Sequence, residues 1–288
     1  MVRVKIDVST LDSTNLTGIG TYIKQLIAAL REIPDVELTG SFRLSRMRKQ
    51  EVIRQHVPGL PLRVYVPVLD DIRPTPAGVF HGPDFRIPTG KRCRKVVTIH
   101  DMGHLDASVS SEEFRARMRT RMDRNILGHK PDFIIAVSDF TRQQVLSTYP
   151  EYKDRIRRIY LGADHLEPAQ SEMAPPFEFP YVLFVGSLER RKNLHGLIDA
   201  FDNLDPSLKD TRLVIAGGAG TNKAWTAEIL RRIQSARSKD RIKPADRRPS
   251  SSISSPSIAG NHLPTFRIWN VGASMQHLAS CLSRRFHG

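Results

Sequence analysis

Two stretches of the chain place apolar side chains at consecutive rather than alternate positions: Val96-Val97-Thr98-Ile99 and Phe133-Ile134-Ile135-Ala136-Val137. A strand with one face in water alternates apolar and polar residues, whereas a strand that is apolar on both faces must be covered on both. Such strands belong to parallel sheets sandwiched between helices, which restricts the fold to the α/β class. The intervening segments agree. Val2 to Val8 predicts a strand, Ser9 to Thr17 a polar loop, and Thr21 to Ile33 a helix whose Tyr22, Ile23, Leu26, Ile27 and Leu30 recur at helical spacing. Leu62 to Val68 predicts a strand, and Val79-Phe80-His81 a short apolar segment ending at Gly82-Pro83. A helix begins at Ser111 or Glu113 and runs to about Leu127, a second covers Asp139 to Tyr149, and Ile156 to Leu161 is a short strand.

Pro168, Pro175, Pro176 and Pro180 then punctuate a stretch without periodicity, which predicts an interdomain linker. The alternation restarts with a strand at Tyr181–Val185, a helix from Asn193 to Leu204, a strand at Arg212–Ala216, a glycine-rich turn at 217–220 and a helix from Trp225 to Ala236. The expected organisation is two Rossmann-like, doubly wound domains: residues 1–165, a linker at 166–180, and an incomplete second domain at 181–236. Residues 237–288 follow as an irregular, basic, Ser-rich tail with the composition of a disordered segment.

The formal net charge of +14 suggests phosphate-bearing partners, including nucleic acid. However, residues 231–288 carry eleven Lys or Arg against two Asp or Glu, so nine of the fourteen net charges sit in the last fifth of the chain. The sequence contains neither a nucleic-acid reader motif nor an array of stacking aromatics, so no nucleic-acid partner is expected. Cys93 and Cys281 are the two cysteines and form no metal-ligand pattern, which fits a reducing cytoplasm; no metal site is expected. The opening residues lack the apolar block of a signal peptide, and no apolar run is long enough to span a membrane.

In a doubly wound sheet, functional groups gather at the carboxyl ends of strands. Gly18 and Gly20 lie between the first strand and the first helix; they either close a tight turn or let the backbone approach a ligand. His100 and Asp101 end a strand; they either close it with polar groups or meet a sugar hydroxyl or phosphate. Ser138 is a good helix N-cap. Arg190, Arg191 and Lys192 sit at the start of a helix, where the macrodipole disfavours positive charge. A bound diphosphate would relieve that conflict, although a solvated charged turn is the alternative reading. Phe114, Met118 and Met122 recur every four residues among Arg115, Arg117, Arg119, Arg121 and Arg124; the stripe predicts packing on the sheet, and the arginines can face anionic lipid.

Taken in order, these segments resemble the family 4 glycosyltransferases of the GT-B fold. The matching residues are Gly18-Ile19-Gly20, Thr98-Ile99-His100-Asp101, Ala136-Val137-Ser138, Leu161-Gly162-Ala163-Asp164, Val185-Gly186-Ser187-Leu188-Glu189 with Arg191-Lys192-Asn193, and Leu213-Val214-Ile215-Ala216-Gly217. The resemblance covers residues 1 to about 235 and is nearest in character to mannosyltransferase-like members that build surface polysaccharides. It implies an enzyme that moves a hexose from a nucleotide-diphosphate sugar, GDP-mannose favoured, to a saccharide or lipid-linked acceptor. The anomeric configuration would be retained and no metal or cofactor bound, with the enzyme in the cytoplasm or peripheral at the inner membrane face. Carried over residue by residue, Gly18 and Gly20 line the cleft, His100 with Asp101 meets the transferred sugar, and Lys192 holds the diphosphate. Many members have an arginine where this chain has Ser187, so the clamp would fall to Arg190 or Arg191 with Lys192.

The family's Glu-x7-Glu segment in the later half of the second domain is not legible here. Reading the codons that could encode Phe266 to Ala273 one nucleotide later permits Phe-Gly-Phe-Gly-Met-Trp-Glu, a string typical of the family. The expectation is therefore a frameshift upstream of Phe266, a second domain cut short and little turnover. A non-enzymatic remnant is the alternative.

Overall fold

The computed structural model describes residues 1–66, 78–88, 93–105, 112–163, 177–219 and 223–245. Among the described residues the chain divides into two compact units, one within residues 1–163 and one within residues 177–245. The expected linker apart from its last four residues, and the expected tail from residue 246, lie outside the described residues.

The first unit contains strands β1 (Val2–Asp7), β2 (Val36–Arg43), β3 (Leu62–Tyr65), β4 (Val79–Gly82), β5 (Arg94–Ile99), β6 (Phe133–Ala136) and β7 (Ile156–Arg158). They form one sheet in the order β3-β2-β1-β4-β5-β6-β7, and every pairing is parallel. The chain builds outward from β1 to β3, then crosses to the other side of β1 to lay down β4. The boundary between β1 and β4 is thus the topological switch point, where the connections leave in opposite directions and open a crevice. Helix α1 (Gly18–Arg31) follows β1, α2 (Gln50–His56) precedes β3, α3 (Glu112–Asp123) precedes β6, and α4 (Asp139–Thr148) follows β6.

Alternate residues of the apolar runs enter different cores, as two-sided burial requires. Val96 and Ile135 join a cluster with Ile23, Leu26 and Ile27 of α1, whereas Val97, Ile99, Ile134 and Ala136 join a second cluster with Met122, Val145 and Tyr149. Full burial of such a side chain contributes about 1.5–3 kcal/mol. Helix α1 starts one turn earlier than its apolar periodicity predicts. Thr17 is its N-cap and accepts from the Gly20 amide at 3.2 Å, so Gly18 and Gly20 form the first helical turn rather than a loop before it. The Phe114–Met118–Met122 stripe packs less than expected. Met122 is buried, but Phe114 is 40% exposed, and α3 passes into a π-helical turn at Arg124–Gly128.

The second unit contains β8 (Tyr181–Val185), β9 (Arg212–Ala216) and β10 (Ile242–Ala245) in the order β10-β9-β8, again parallel, with helices α5 (Leu194–Asp202) and α6 (Lys223–Ser235). Leu194, Ile198, Phe201, Leu213, Ile215, Ile229 and Ile242 form its core. Strand β10 corrects the sequence reading, in which regular structure dissolves from Arg237. Its apolar signal is short, yet Ile242 is buried and the strand pairs with β9 from Leu213 to Ala216.

Candidate functional site

In the first unit, the carboxyl ends of β4 and β5 meet the start of α1 through a buried hydroxyl. Thr98 Oγ1 lies 2.9 Å from His81 Nε2 and 3.1 Å from the Tyr22 hydroxyl. Burial drives both partners toward their neutral forms. The Tyr22 phenol is pushed up to about 12, the Thr98 hydrogen bond opposing. The His81 imidazole is pushed down to about 4, with His100 adding to the effect. His100 packs edge-on to Tyr22, ring centroids 5.0 Å apart. Its Nε2 donates to the Pro83 carbonyl at 2.9 Å, because a carbonyl can only accept. His100 is therefore held as the Nε2–H tautomer, and Nδ1 keeps a lone pair for an incoming hydroxyl. Burial also lowers its pKa, against the Pro83 carbonyl, Asp84 and Asp101.

Asp101 is exposed, and its Oδ1 accepts from the Gly103 amide at 3.0 Å, which gives the carboxylate a turn-closing role. Ser138 caps α4: its Oγ accepts from the Thr141 amide and donates to Thr141 Oγ1, which in turn donates to the His100 carbonyl. The capping that the sequence suggests for Ser138 therefore also fixes the His100 backbone. Gly18 has open space where a side chain would project, while a Cβ at Gly20 would sit 2.9 Å from Leu16 Cδ2. Tyr22, one turn along α1, is the residue of that helix that reaches His100.

In the second unit, the turn after β8 is fixed by two glycines. Gly186 has a φ of 154°, which L side chains rarely adopt. A Cβ on Gly217 would fall 1.7 Å from the Gly186 carbonyl oxygen, so only glycine lets the two backbones pass. The Gly186 amide donates to Ala216 O at 2.9 Å and the Leu188 amide to Gly218 O at 3.0 Å, which locks the Gly186–Glu189 turn onto the end of β9. Arg190, Arg191 and Lys192 form a 3-10 turn, and Asn193, in the left-handed conformation, caps α5 by accepting from the Gly196 amide.

The three cations have different surroundings. Arg191 Nε pairs with Glu189 at 2.8 Å, and Arg190 lies 6.0 Å above the Trp225 ring. Lys192 is exposed, with its Cε 3.8 Å from the Cβ position of Gly186, and among the described residues no carboxylate pairs with it. Among the described residues Lys192 and Arg190 are thus the cations of this turn without a carboxylate partner, Arg190 lying over Trp225, while Arg191 is paired with Glu189. Ser187 is half-buried within the same turn. Sequence reasoning missed His81, Tyr22 and Gly217 as site residues. The positional signal for His81 was available, because it ends an apolar segment just before Gly82-Pro83. Among the described residues, no group of three or more His, Cys, Asp or Glu could hold a metal ion, and no helix is long and apolar enough to cross a membrane.

Comparison with known proteins gives this arrangement a context. The family described as Glycosyltransferase Family 4 matches residues 16–165, and the one described as Glycosyl transferases group 1 matches residues 170–253. The O-antigen chain mannosyltransferase B of Escherichia coli is 24% identical over 251 residues, which cover 75% of this chain and 63% of that protein. The chain thus spans less than two thirds of the relative's length. Among solved structures, a glycosyltransferase from Rickettsia africae ESF-5 aligns with a TM-score of 0.56 at 14% identity, covering 85% of this chain and 68% of that one. The catalytic domain of starch synthase IV from Arabidopsis thaliana, bound to ADP and acarbose, aligns with a TM-score of 0.54 at 11% identity, covering 87% and 75%. The structural likenesses bear on the fold alone and agree with the GT-B class of Rossmann-like units. With half the chain matched by a single family description, the protein belongs to the group 1, family 4 glycosyltransferases.

Proposed function

We propose that the chain binds a nucleotide-diphosphate sugar, with GDP-mannose as the favoured donor, and serves transfer of the hexose with retained configuration to a saccharide or lipid-linked acceptor in surface polysaccharide synthesis. The observation that carries this reading is the Gly186–Gly217 crossing, which places the uncommitted Lys192 beside a side-chain-free bend at the carboxyl end of β8. A diphosphate there would meet the Lys192 ammonium beside a bend that carries no side chain, and a cation so placed stabilises a departing diphosphate without a metal. In the first unit, the Nδ1 lone pair of His100 supports contact with a sugar hydroxyl, held in place by Tyr22, Pro83 and Thr141. The mannose preference rests on the E. coli relative. Exposed Phe114 and Leu127 flank the arginines of α3 and its π-helical extension, which supports peripheral contact with an anionic membrane from the cytoplasmic side.

The test is calorimetric titration of GDP and GDP-mannose at matched salt into the wild-type chain and Lys192→Ala. One charge-assisted contact contributes about 1.5–3 kcal/mol, so the variant should bind roughly 10- to 150-fold more weakly. Equal affinities would remove Lys192 from the donor site, and no binding by either protein would refute the donor reading.

A further inference from the structure

A cavity of about 400 Å³ opens in the first unit at the carboxyl ends of β1, β2 and β3, lined among others by Asp7, Ser41, Arg43, Arg86, Arg121 and Arg124. It holds four guanidinium groups and a single lining carboxylate. Among the described residues, Nε and Nη2 of Arg43, Nε of Arg86 and the hydroxyl of Ser41 are buried without a hydrogen-bond partner. A buried donor left unmade is costly, and native proteins leave few of them. Arg86 pairs with Asp84 at 3.2 Å through Nη2, which leaves its Nε side uncompensated. Arg46, although paired with Asp12 as Lys49 is, adds to the positive field on Arg43 and Arg86.

The arginines are brought together by the backbone. A Cβ on Gly82 would lie 1.9 Å from the Arg86 carbonyl oxygen, so the loop after β4 folds back onto Gly82 only because glycine is there. Phe85, in the left-handed conformation at φ 45°, sits within that loop; the guanidiniums of Arg86 and Arg121 lie 5.9 and 5.1 Å from its ring centroid. Burial and mutual repulsion lower the pKa of Arg43, of Arg86 and of Arg121, with Asp84 acting in the opposite direction on each of them. The cluster carries unfavourable self-energy that an anion would relieve.

From this cavity and its unmet donors, we propose that the pocket binds the phosphoryl group of a phosphorylated ligand, which on the transferase reading above is the acceptor. Four guanidiniums around a cavity with one lining carboxylate suit the doubly charged oxygens of a phosphate monoester or a diphosphate better than a singly charged carboxylate. The phosphoryl group can belong to a lipid-linked diphosphate, with four non-bridging oxygens on two phosphates, or to a soluble sugar phosphate, with three on one; both present about two negative charges to the pocket.

The experiment titrates inorganic pyrophosphate, mannose 1-phosphate, a farnesyl-diphosphate-linked sugar in detergent and glucuronate into the full chain and into Arg43→Gln, Arg121→Gln and Lys192→Ala. Pyrophosphate affinity is expected to fall at least tenfold in Arg43→Gln and in Arg121→Gln, and to change less than threefold in Lys192→Ala. If Arg43→Gln fails to fold, Arg121→Gln, with its partly exposed side chain, carries the comparison. Preference for the farnesyl compound supports a lipid-linked source, and preference for mannose 1-phosphate supports a soluble one. Unchanged pyrophosphate affinity in both arginine variants, loss in Lys192→Ala alone, or tighter binding of glucuronate than of the phosphates would overturn the proposal. Absence of GDP binding with this pattern intact would remove the donor reading and leave the phosphoryl pocket standing.

Discussion

Replacing Gly217 by alanine tests the geometry on which the donor reading rests. The new Cβ would lie 1.7 Å from Gly186 O and 2.7 Å from its carbonyl carbon, whereas real Cβ atoms essentially never approach within 3.0 Å. Both neighbours are backbone, so no side-chain rotation can relieve the overlap. The Gly186 turn must move by about 1.3 Å to reach that limit. A displacement of that size breaks the bonds from Gly186 N to Ala216 O and from Leu188 N to Gly218 O, now 2.9 and 3.0 Å. Two lost hydrogen bonds cost about 1–3 kcal/mol together, and overpacking costs about 1–3 kcal/mol more. The expected destabilisation of the second unit is therefore about 2–6 kcal/mol. Urea unfolding followed by fluorescence suits the measurement, because Trp225 lies in that unit. With a slope of about 2 kcal/mol/M, a loss of 3 kcal/mol moves the midpoint down by roughly 1.5 M. Gly18→Ala is the contrasting control: nothing lies within 4 Å of its Cβ position in the first turn of α1, so it should be neutral or slightly stabilising. Equal midpoints for Gly217→Ala and Gly18→Ala would refute the reasoning.

Other consequences are measurable in the first unit. His81 is neutral in the fold, with its pKa near 4 against about 6.5 when unfolded. As the pH falls through that window the unfolded chain binds a proton that the native chain refuses, so stability should drop by up to about 3 kcal/mol. Urea midpoints at pH 7, 5.5 and 4.5 should fall more steeply for wild type than for His81→Gln, and parallel slopes would exclude His81 as the source. Thr98→Val deletes the hydroxyl shared by His81 and Tyr22, leaving two buried polar groups short of a partner at about 1–3 kcal/mol each; a loss under 0.5 kcal/mol would show that neither bond matters. Tyr149→Phe removes the 2.8 Å bond from the Tyr149 hydroxyl to Asp123, which ties α4 to α3, and should cost about 1.5–3 kcal/mol in the same denaturation assay.

The sequence carried the fold wherever strands were apolar on both faces, as in β5 and β6. It failed where burial was partial. Strand β2 went unread because Glu37, Thr39, Gly40 and Ser41 interrupt its apolar residues, although Leu38, Gly40, Ser41 and Phe42 are all buried. Strand β10 was missed because Ile242 is its one strongly β-forming residue in the segment Ile242-Lys243-Pro244-Ala245. For the site, position alone indicated His100 and Lys192, since both follow a strand's carboxyl end. Position could not separate Lys192 from Arg191, because the distinction lies in the Glu189 ion pair, which forms two residues away by a side-chain choice that spacing does not encode. Nor could it single out Thr98, whose value is a three-way contact between residues 17 and 76 positions distant in the chain.

Both units use the same device to place a cation. At the end of β4, Gly82 lets the Arg86 carbonyl approach within 1.9 Å of where a Cβ would be; just after β9, Gly217 does the same for the Gly186 carbonyl at 1.7 Å. In each case a loop that carries a basic side chain lies against the carboxyl end of a parallel strand, with Arg86 in the loop after β4 and Lys192 in the turn that follows Gly186. A side chain on either glycine would hold that loop away from the strand end. Exposed lysine and arginine lose conformational freedom when they are ordered around a ligand, and a cation presented by a backbone crossing has less to lose. On the two proposals above, the glycines at 82 and 217 would contribute to anion binding without contacting the anion.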